Sequence, residues 1–489
     1  MTQSDFVHLI PYLVLAGGIV FLLLVFSFWR GIALAVLTTC AVLLASLVFI
    51  GIGGLDAAPH LIGSFMIIDG YGQFMSALFL LGALVTAVFA HTYLKGRSGE
   101  SEEFYLLLMM ATLGAMTVAA AQHFAAFFLG LELLSISLYV LIAYSEKGHP
   151  PLEAALKYLV LSGVASTTML FGIALIYNAT GTLVIGELAG PDLSAPRAEL
   201  YLSVGQALLF AGLAFKLSLV PFHMWTPDVY QGAPAPVTGY LATVSKGAAF
   251  AFLLRYALVT DFLDDQAIVK IIGLVAVLSM IGGNVLALLQ DNVKRILAYS
   301  SIAHVGYLLI GLLAIAQLTD ALVAVEASLV YLAGYFLMTL AAFGVITLLS
   351  DPDEEIDAES IDAFVGLFWR RPALAAVMTV AVLSLTGIPL TVGFIVKFYL
   401  LTAGVEGGMW MLLWALVIGS AIAVYYYLRI VFAMVRSPDD AQYAQSRPTF
   451  DSMAALGVVG ISLLVFGVYP SPLIDVVRGM VKNVLAISS

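Results

Sequence analysis

Charge is what this 489-residue chain has least of: 10% of its residues are Asp, Glu, Lys or Arg, against 62% hydrophobic. Soluble domains carry roughly 25% charged and 45–50% apolar residues, so a string of soluble domains is excluded. A mean hydropathy of +1.05 and repeated apolar runs of about 20 residues instead predict a polytopic helical membrane protein. Cysteine is nearly missing as well. Cys40 alone cannot form a disulfide framework, a Cys-ligated iron–sulfur cluster or a Cys-based zinc site within the chain. Positive charge is thin: 20 Lys and Arg are scattered along a chain of net charge −11, which excludes nucleic-acid binding. The apolar runs lack the polar–apolar alternation of membrane strands, excluding a β-barrel. The opening MTQSDFVH lacks the positive n-region of a cleavable signal peptide.

What is there divides into fourteen expected spans, near 8–28, 31–53, 71–94, 104–121, 124–144, 153–178, 202–222, 236–260, 267–289, 296–316, 321–349, 373–402, 409–436 and 452–470. The tail from Ser471 to Ser489, with Asp475, Arg478 and Lys482, reads as an interfacial helix. Taking every second loop as one side collects Arg30, Lys95, Arg97, Lys147, Lys294, Arg295, Arg370, Arg371, Arg436 and Arg447. The other side holds both termini and only Arg197, Arg478, Lys482 and Lys270, so the Arg30 side is expected inside. The acidic loop 351–362 also lies inside and does not count against this, because Asp and Glu contribute little to the rule.

The seventh span, FKLSLVPFHMWTPD, carries Pro221, and the twelfth, LSLTGIPLTVGFIVKF, carries Gly387 and Pro389. Proline removes a backbone hydrogen bond and clashes one turn back, so both helices are expected to break at membrane depth. Five helices separate the two breaks, and an odd offset reverses the direction of travel, the pattern of inverted repeats. The expected organisation is therefore three leading helices (1–103), a first five-helix repeat (104–260), a second, inverted one (261–436), and a last helix with its tail (437–489).

Each ionisable residue at a helix centre costs at least about 2.5–3.5 kcal/mol on insertion scales, so those retained point to function. They are Glu132, Glu153, Lys157, Lys216, His223, Lys246, His304, Glu326, Lys397 and Arg429. Lysine suits proton relay because burial and a nearby carboxylate act on it in opposite senses. Glu132 is the natural partner of Lys216 if spans five and seven touch. Blander readings exist for several others. Glu153 and Lys157 are spaced i,i+4 and can be a surface pair at a helix start. Lys294 and Arg295 can be inside anchors, His304 a satisfied interior histidine, and Glu326 and Arg429 interhelical pairs. Arg255 and Lys270 read as interfacial snorkellers, and the tyrosines at 425–427 and the tryptophans as packing or interface belt.

The stretches GLELLSISLYVLIAY (130–144), EAALKYLVLSGVAS (153–166), FKLSLVPFHMWTPDVYQGAPAPVTGYLATVSKGAAF (215–250), NVLALLQDNVKRILAYSSIAHVGYLL (284–309) and LSLTGIPLTVGFIVKFYL (383–400) resemble the antiporter-like membrane subunits of respiratory complex I, over about residues 70–435. The resemblance implies an all-α subunit of about fourteen transmembrane helices with two inverted repeats, translocating protons in the membrane arm of an NADH–quinone oxidoreductase. It implies a relay of Glu132, Lys216, Lys246 and Lys397, with His223, His304, Glu153, Lys157 and Lys294 on a secondary polar path. It also implies that NADH, FMN, iron–sulfur clusters and quinone belong to other subunits, with no cofactor and no metal in this chain. Its partners would be other membrane-arm subunits and the bilayer, in a bacterial inner membrane with both termini periplasmic. A cation/proton antiporter subunit, or the membrane arm of a ferredoxin- or hydrogenase-linked complex, would look similar.

Overall fold

The computed structural model describes residues 3–53, 59–95, 101–144, 150–190, 196–350, 357–437 and 448–481. The basic residues Arg97, Lys147, Arg447 and Lys482, and 351–356 of the acidic loop, lie outside the described residues. Helices follow one another almost without interruption: α1 (Gln3–Phe26), α2 (Ile32–Gly53), α3 (Gly70–Leu94), α4 (Glu102–Ala119), α5 (Phe124–Ile142), α6 (Pro150–Thr180), α7 (Ala198–Lys216), α8 (Trp225–Gly232), α9 (Ala235–Tyr240) and α10 (Lys246–Val259). Then come α11 (Gln266–Leu288), α12 (Val293–Gln317), α13 (Ala321–Leu349), α14 (Leu367–Arg370), α15 (Pro372–Thr386), α16 (Val392–Glu406), α17 (Trp410–Val435), α18 (Phe450–Val468) and α19 (Ser471–Val481). Among the described residues, 13 helical segments are long and apolar enough to cross a membrane. The twelfth expected span is absent from that set because it is cut into α15 and α16.

Both expected breaks are present, each with left-handed backbone. Helix α7 stops at Lys216, and Ser218 (φ 62) turns the chain through a non-helical stretch before α8. Helix α15 ends at Gly387, whose φ of 90 suits a residue without a Cβ. Beyond it α16 doubles back so tightly that a Cβ on Gly393 would fall 1.7 Å from the Ser384 carbonyl oxygen. Trp225 closes the first break from inside, donating its indole N–H to the Phe215 carbonyl at 3.0 Å. It is a core residue rather than part of an interface belt.

Burial is unequal across the bundle. An 18-residue stretch within Ala235–Val259 is buried throughout, and 94% of such a stretch is buried in α12 and in α13, against 33% in α1 and 28% in α2. Three neighbouring spans therefore form the interior, and the N-terminal pair forms a flank. Helix α4 packs on α5 as α11 packs on α12, and α6 on α7 as α13 on α15 and α16. A small hairpin not expected from the sequence, β1 (His60–Ile62) paired antiparallel with β2 (Met66–Ile68), precedes α3. The tail helix α19 forms, pinned to α13 by Arg478 and Glu326 at 2.9 Å.

Two readings change. Arg255 is not an interfacial snorkeller: it is buried, donates to both oxygens of Asp69 at 2.8 and 2.9 Å and to the Ala119 carbonyl at 3.1 Å, and lies over the Tyr71 ring. It thereby ties α10 to the start of α3, where Asp69 also caps Gly72. The reading of 425–427 as packing or interface belt narrows: Tyr426 and Tyr427 are buried packing residues, and Tyr425 is exposed. Removing one partner of a buried ion pair costs about 3–5 kcal/mol because the other charge is stranded. Arg255→Leu should therefore lower the unfolding midpoint in detergent sharply, and the Arg255→Leu/Asp69→Leu double replacement should cost less than either single one. Melting curves for Arg255→Leu that overlay the wild type would show the pair to be idle.

Candidate functional site

The buried lysines rest on hydroxyls. At the end of α7, Lys216 Nζ donates to Ser135 Oγ of α5 at 2.7 Å and Ser162 Oγ of α6 at 2.6 Å. One turn along α6, Ser166 donates to Glu132 at 2.5 Å. The expected direct ion pair between Glu132 and Lys216 is thus replaced by a bridge in which serines of α6 stand between carboxylate and ammonium. Tyr139 also donates to Ser162, at 2.9 Å. A hydroxyl can accept from an ammonium or donate to a neutral amine, so Lys216 keeps its partners in either protonation state. Glu132 itself is only half-buried, on the outer face of α5.

Lys246 begins α10 directly after a π-helical turn, Leu241–Ser245. Its Nζ donates to Ser301 Oγ of α12 at 2.6 Å and lies 5.4 Å from the Tyr230 ring. Ser301 Oγ in turn meets Tyr335 Oη of α13 at 2.7 Å. One turn further along α12, His304 sits among Tyr307, Tyr331 and Tyr335, with ring centroids 5.3–6.0 Å away, and its Nδ1 is 2.6 Å from Tyr331 Oη. The Leu385 carbonyl faces His304 and also accepts from Lys397 Nζ at 3.1 Å. Lys397 donates further to the Thr386 carbonyl at 2.8 Å and Ser420 Oγ at 3.0 Å, with its Nζ 5.1 Å from the Tyr307 ring. The two carbonyls are ones that the α15 break has released from helical pairing. Polar and aromatic groups therefore run from Lys246 to Lys397 through α12 without an apolar gap.

The remaining expected residues lie elsewhere. Glu153 and Lys157 do pair, at 2.8 Å, and Lys157 also reaches Asp228 of α8 at 2.8 Å. Asp228 meets Arg295 at 2.9 Å. Lys294 is buried against Asp357 at 2.9 Å and the Ala233 carbonyl at 2.6 Å. Glu153, Lys157, Asp228, Ala233, Lys294 and Asp357 line a polar cavity of about 290 Å³ that also includes Glu359 and Tyr93. His223 lies buried in the α7–α8 break, where its Nδ1 has no hydrogen-bond partner among the described residues. Glu326 and Arg429 are pairing residues, with Arg478 and Asp291 respectively.

Residues 121–423 match the family described as NADH:quinone oxidoreductase/Mrp antiporter, TM. The chain belongs to that family. A chain of respiratory complex I from Thermus thermophilus is 33% identical, with a TM-score of 0.82 over 96% of this chain and 100% of the other. A chain of the membrane-bound sulfane sulfur reductase, an archaeal respiratory membrane complex, is 24% identical, with a TM-score of 0.85 over 99% and 98%. A chain of the Mrp complex from Dietzia sp. is 20% identical, with a TM-score of 0.86 over the whole of both chains. The last two likenesses concern the fold alone. This family member is an antiporter-like, multi-pass subunit of the complex I type, and the solved relatives sit in multisubunit membrane complexes.

Sequence reasoning singled out the lysines and missed the hydroxyls that hold them. Ser135, Ser162, Ser166, Ser301 and Ser420 are ordinary residues in membrane helices, where a serine often bonds its own i−4 carbonyl. The available signal was position: Ser135 lies three residues after Glu132, and Ser301 three before His304, so each shares a helical face with a charged residue. Stranding a buried charged donor costs about 1–3 kcal/mol or more. Ser162→Ala should destabilise the protein by about that amount, and by much less in a Lys216→Met background. Equal losses in both backgrounds, from thermal or denaturant unfolding, would separate Ser162 from Lys216.

Proposed function

We propose that this chain is subunit N of a bacterial NADH–quinone oxidoreductase and carries protons across the inner membrane without redox chemistry of its own. What supports this reading is the line of partners from Lys246 through Ser301, Tyr335, His304 and Tyr307, on the three most buried spans of the bundle, to Lys397 of α16. Lysine at 397, where a sister subunit usually carries glutamate, favours this branch of the family.

In this scheme, changes driven in the quinone-binding module alter the electrostatic link between Glu132 and Lys216 through Ser162 and Ser166. Lys216 passes its proton towards Lys246, with water filling the α7–α8 break near His223. Lys246 hands it through the Ser301–Tyr335–His304 cluster to Lys397, which releases it on the periplasmic side, where both termini lie. Glu153, Lys157 and Lys294, around the polar cavity, serve the inner mouth. One charge crossing against 100 mV requires about 2.3 kcal/mol, supplied by electron transfer from NADH through FMN and iron–sulfur clusters to quinone in partner subunits. A cation/proton antiporter subunit is the second reading, favoured by the fold shared with the Mrp chain over its full length. The subunits that co-purify decide between them: flavin and iron–sulfur subunits for the first reading, none for the second.

Lys216→Met and Lys246→Ala should each abolish most proton pumping in an assembled complex and depress the coupled quinone reductase activity. Wild-type pumping by either variant, in proteoliposomes containing equal amounts of complex, would overturn the relay.

A further inference from the structure

Beside Lys397 the structure holds a polar cluster that the relay does not use. Asn284 is a buried polar residue of the largely apolar α11. Its Nδ2 donates to Tyr307 Oη at 3.0 Å and to the Met280 carbonyl at 2.7 Å, and its Oδ1 accepts from Tyr426 Oη of α17 at 2.9 Å. All its near polar groups are engaged, and they come from three different helices. Tyr307 is the residue whose ring lies beneath the Lys397 ammonium, and Ser420, six residues before Tyr426 on α17, accepts from that ammonium. The fit leaves no slack. A Cβ on Gly419 would fall 2.7 Å from Asn284 Nδ2 and 2.9 Å from Tyr307 Oη, so a glycine is what lets α17 close on the pair.

A buried amide inside a span is expensive unless all its groups are paired, and a fully paired network fixes the geometry of what it touches. Packing alone would be served as well by an apolar side chain with no groups to satisfy. We infer that Asn284 is a positioning residue for Lys397: it fixes the Tyr307 hydroxyl, and so the ring face on which the ammonium rests, and it couples that face to α17 through Tyr426. A cation over an aromatic face is held more tightly when desolvated than when exposed, which matters for a proton that must be held and then released. The inference rests on the relay reading of Lys397.

The test uses the assembled parent complex in proteoliposomes, measuring proton pumping per electron transferred alongside complex content on native gels. Asn284→Leu, which keeps the branched side-chain outline but can hold neither tyrosine, should lower pumping at least threefold at normal assembly. Asn284→Asp, which keeps the size and the acceptor for Tyr426 and can accept from the Tyr307 hydroxyl in place of donating to it, should restore more than half of it. Tyr426→Phe, losing a single hydroxyl, should give a smaller loss in the same direction and serves as the probe if Asn284→Leu fails to assemble. Wild-type pumping in Asn284→Leu, or in Tyr426→Phe where that is the probe, would overturn the inference, as would equal losses in Asn284→Leu and Asn284→Asp. Lys397→Ala run in parallel separates the two levels. If it pumps normally the relay reading fails; if it is inactive while Asn284→Leu is normal, only the positioning role fails.

Discussion

Inside a bilayer no water is at hand to satisfy a stray polar group, and everything in this structure follows from how each buried cation solves that problem. Two solutions coexist. Arg255 and Lys294 each face a carboxylate, Asp69 and Asp357, and both pairs are buried. Lys216, Lys246 and Lys397 face serine hydroxyls and, for Lys397, backbone carbonyls, with an aromatic ring nearby in every case. A carboxylate partner makes loss of the proton strand an anion, so such a pair is suited to holding helices together. A hydroxyl reverses its role from acceptor to donor as the amine changes state, so such a lysine can be charged or neutral in place. The chemistry of the partner, more than depth in the membrane, separates the cations fixed in one charge state from the lysines that keep their partners in either.

The broken helices fit the same division. Helix interruption is tolerated at membrane depth only where other groups take up the released backbone. At the α15–α16 break the takers are Lys397 itself and the Ser384 side chain, which accepts from the Gly393 N–H at 3.0 Å. At the α7–α8 break Trp225 and Ser279 do this work, Ser279 accepting from the Val220 N–H at 3.0 Å. Lys216 is therefore left to the serines of α5 and α6. Lys216 stands before its break and Lys397 after its own, and they are held by different chemistry, one by neighbouring helices and the other by the carbonyls of its break.

Legibility in the sequence tracked the cost of each feature. Prolines and lysines within apolar runs are costly enough to stand out singly, and the breaks at Pro221 and Gly387–Pro389 could be placed from the residue string alone. The hydroxyl partners could not, because a serine in a membrane helix is cheap and common; Ser162 matters only because Lys216, 54 residues later, reaches it. Arg255 was misread for a related reason. An arginine near the end of a span looks the same whether it snorkels or pairs, and its partner Asp69 is 186 residues away. Tyr426 and Tyr427 resemble a lipid-facing belt until α11 and α12 are known to pack behind them, at Asn284 and Ser300. The hairpin at 60–68 is too short to leave a periodicity.

The π-helical turn before Lys246 shows how one span can hold both kinds of cation. An α-helix advances about 100° per residue, and a π turn inserts roughly one extra residue, so the faces on either side are rotated relative to one another. In α9, before the turn, Tyr240 Oη meets Thr112 of α4 at 3.1 Å. After it, Lys246 meets α12, and two and a half turns on Arg255 meets Asp69 and Ala119 beside α3 and α4. Without the inserted residue, a register that served Tyr240 would swing Lys246 and Arg255 together away from their partners. The fully buried span is thus fastened at both ends by groups that do not need to move, with the one lysine on hydroxyls held between them. The turn lets a single helix supply both a fixed ion pair and a lysine held on a hydroxyl.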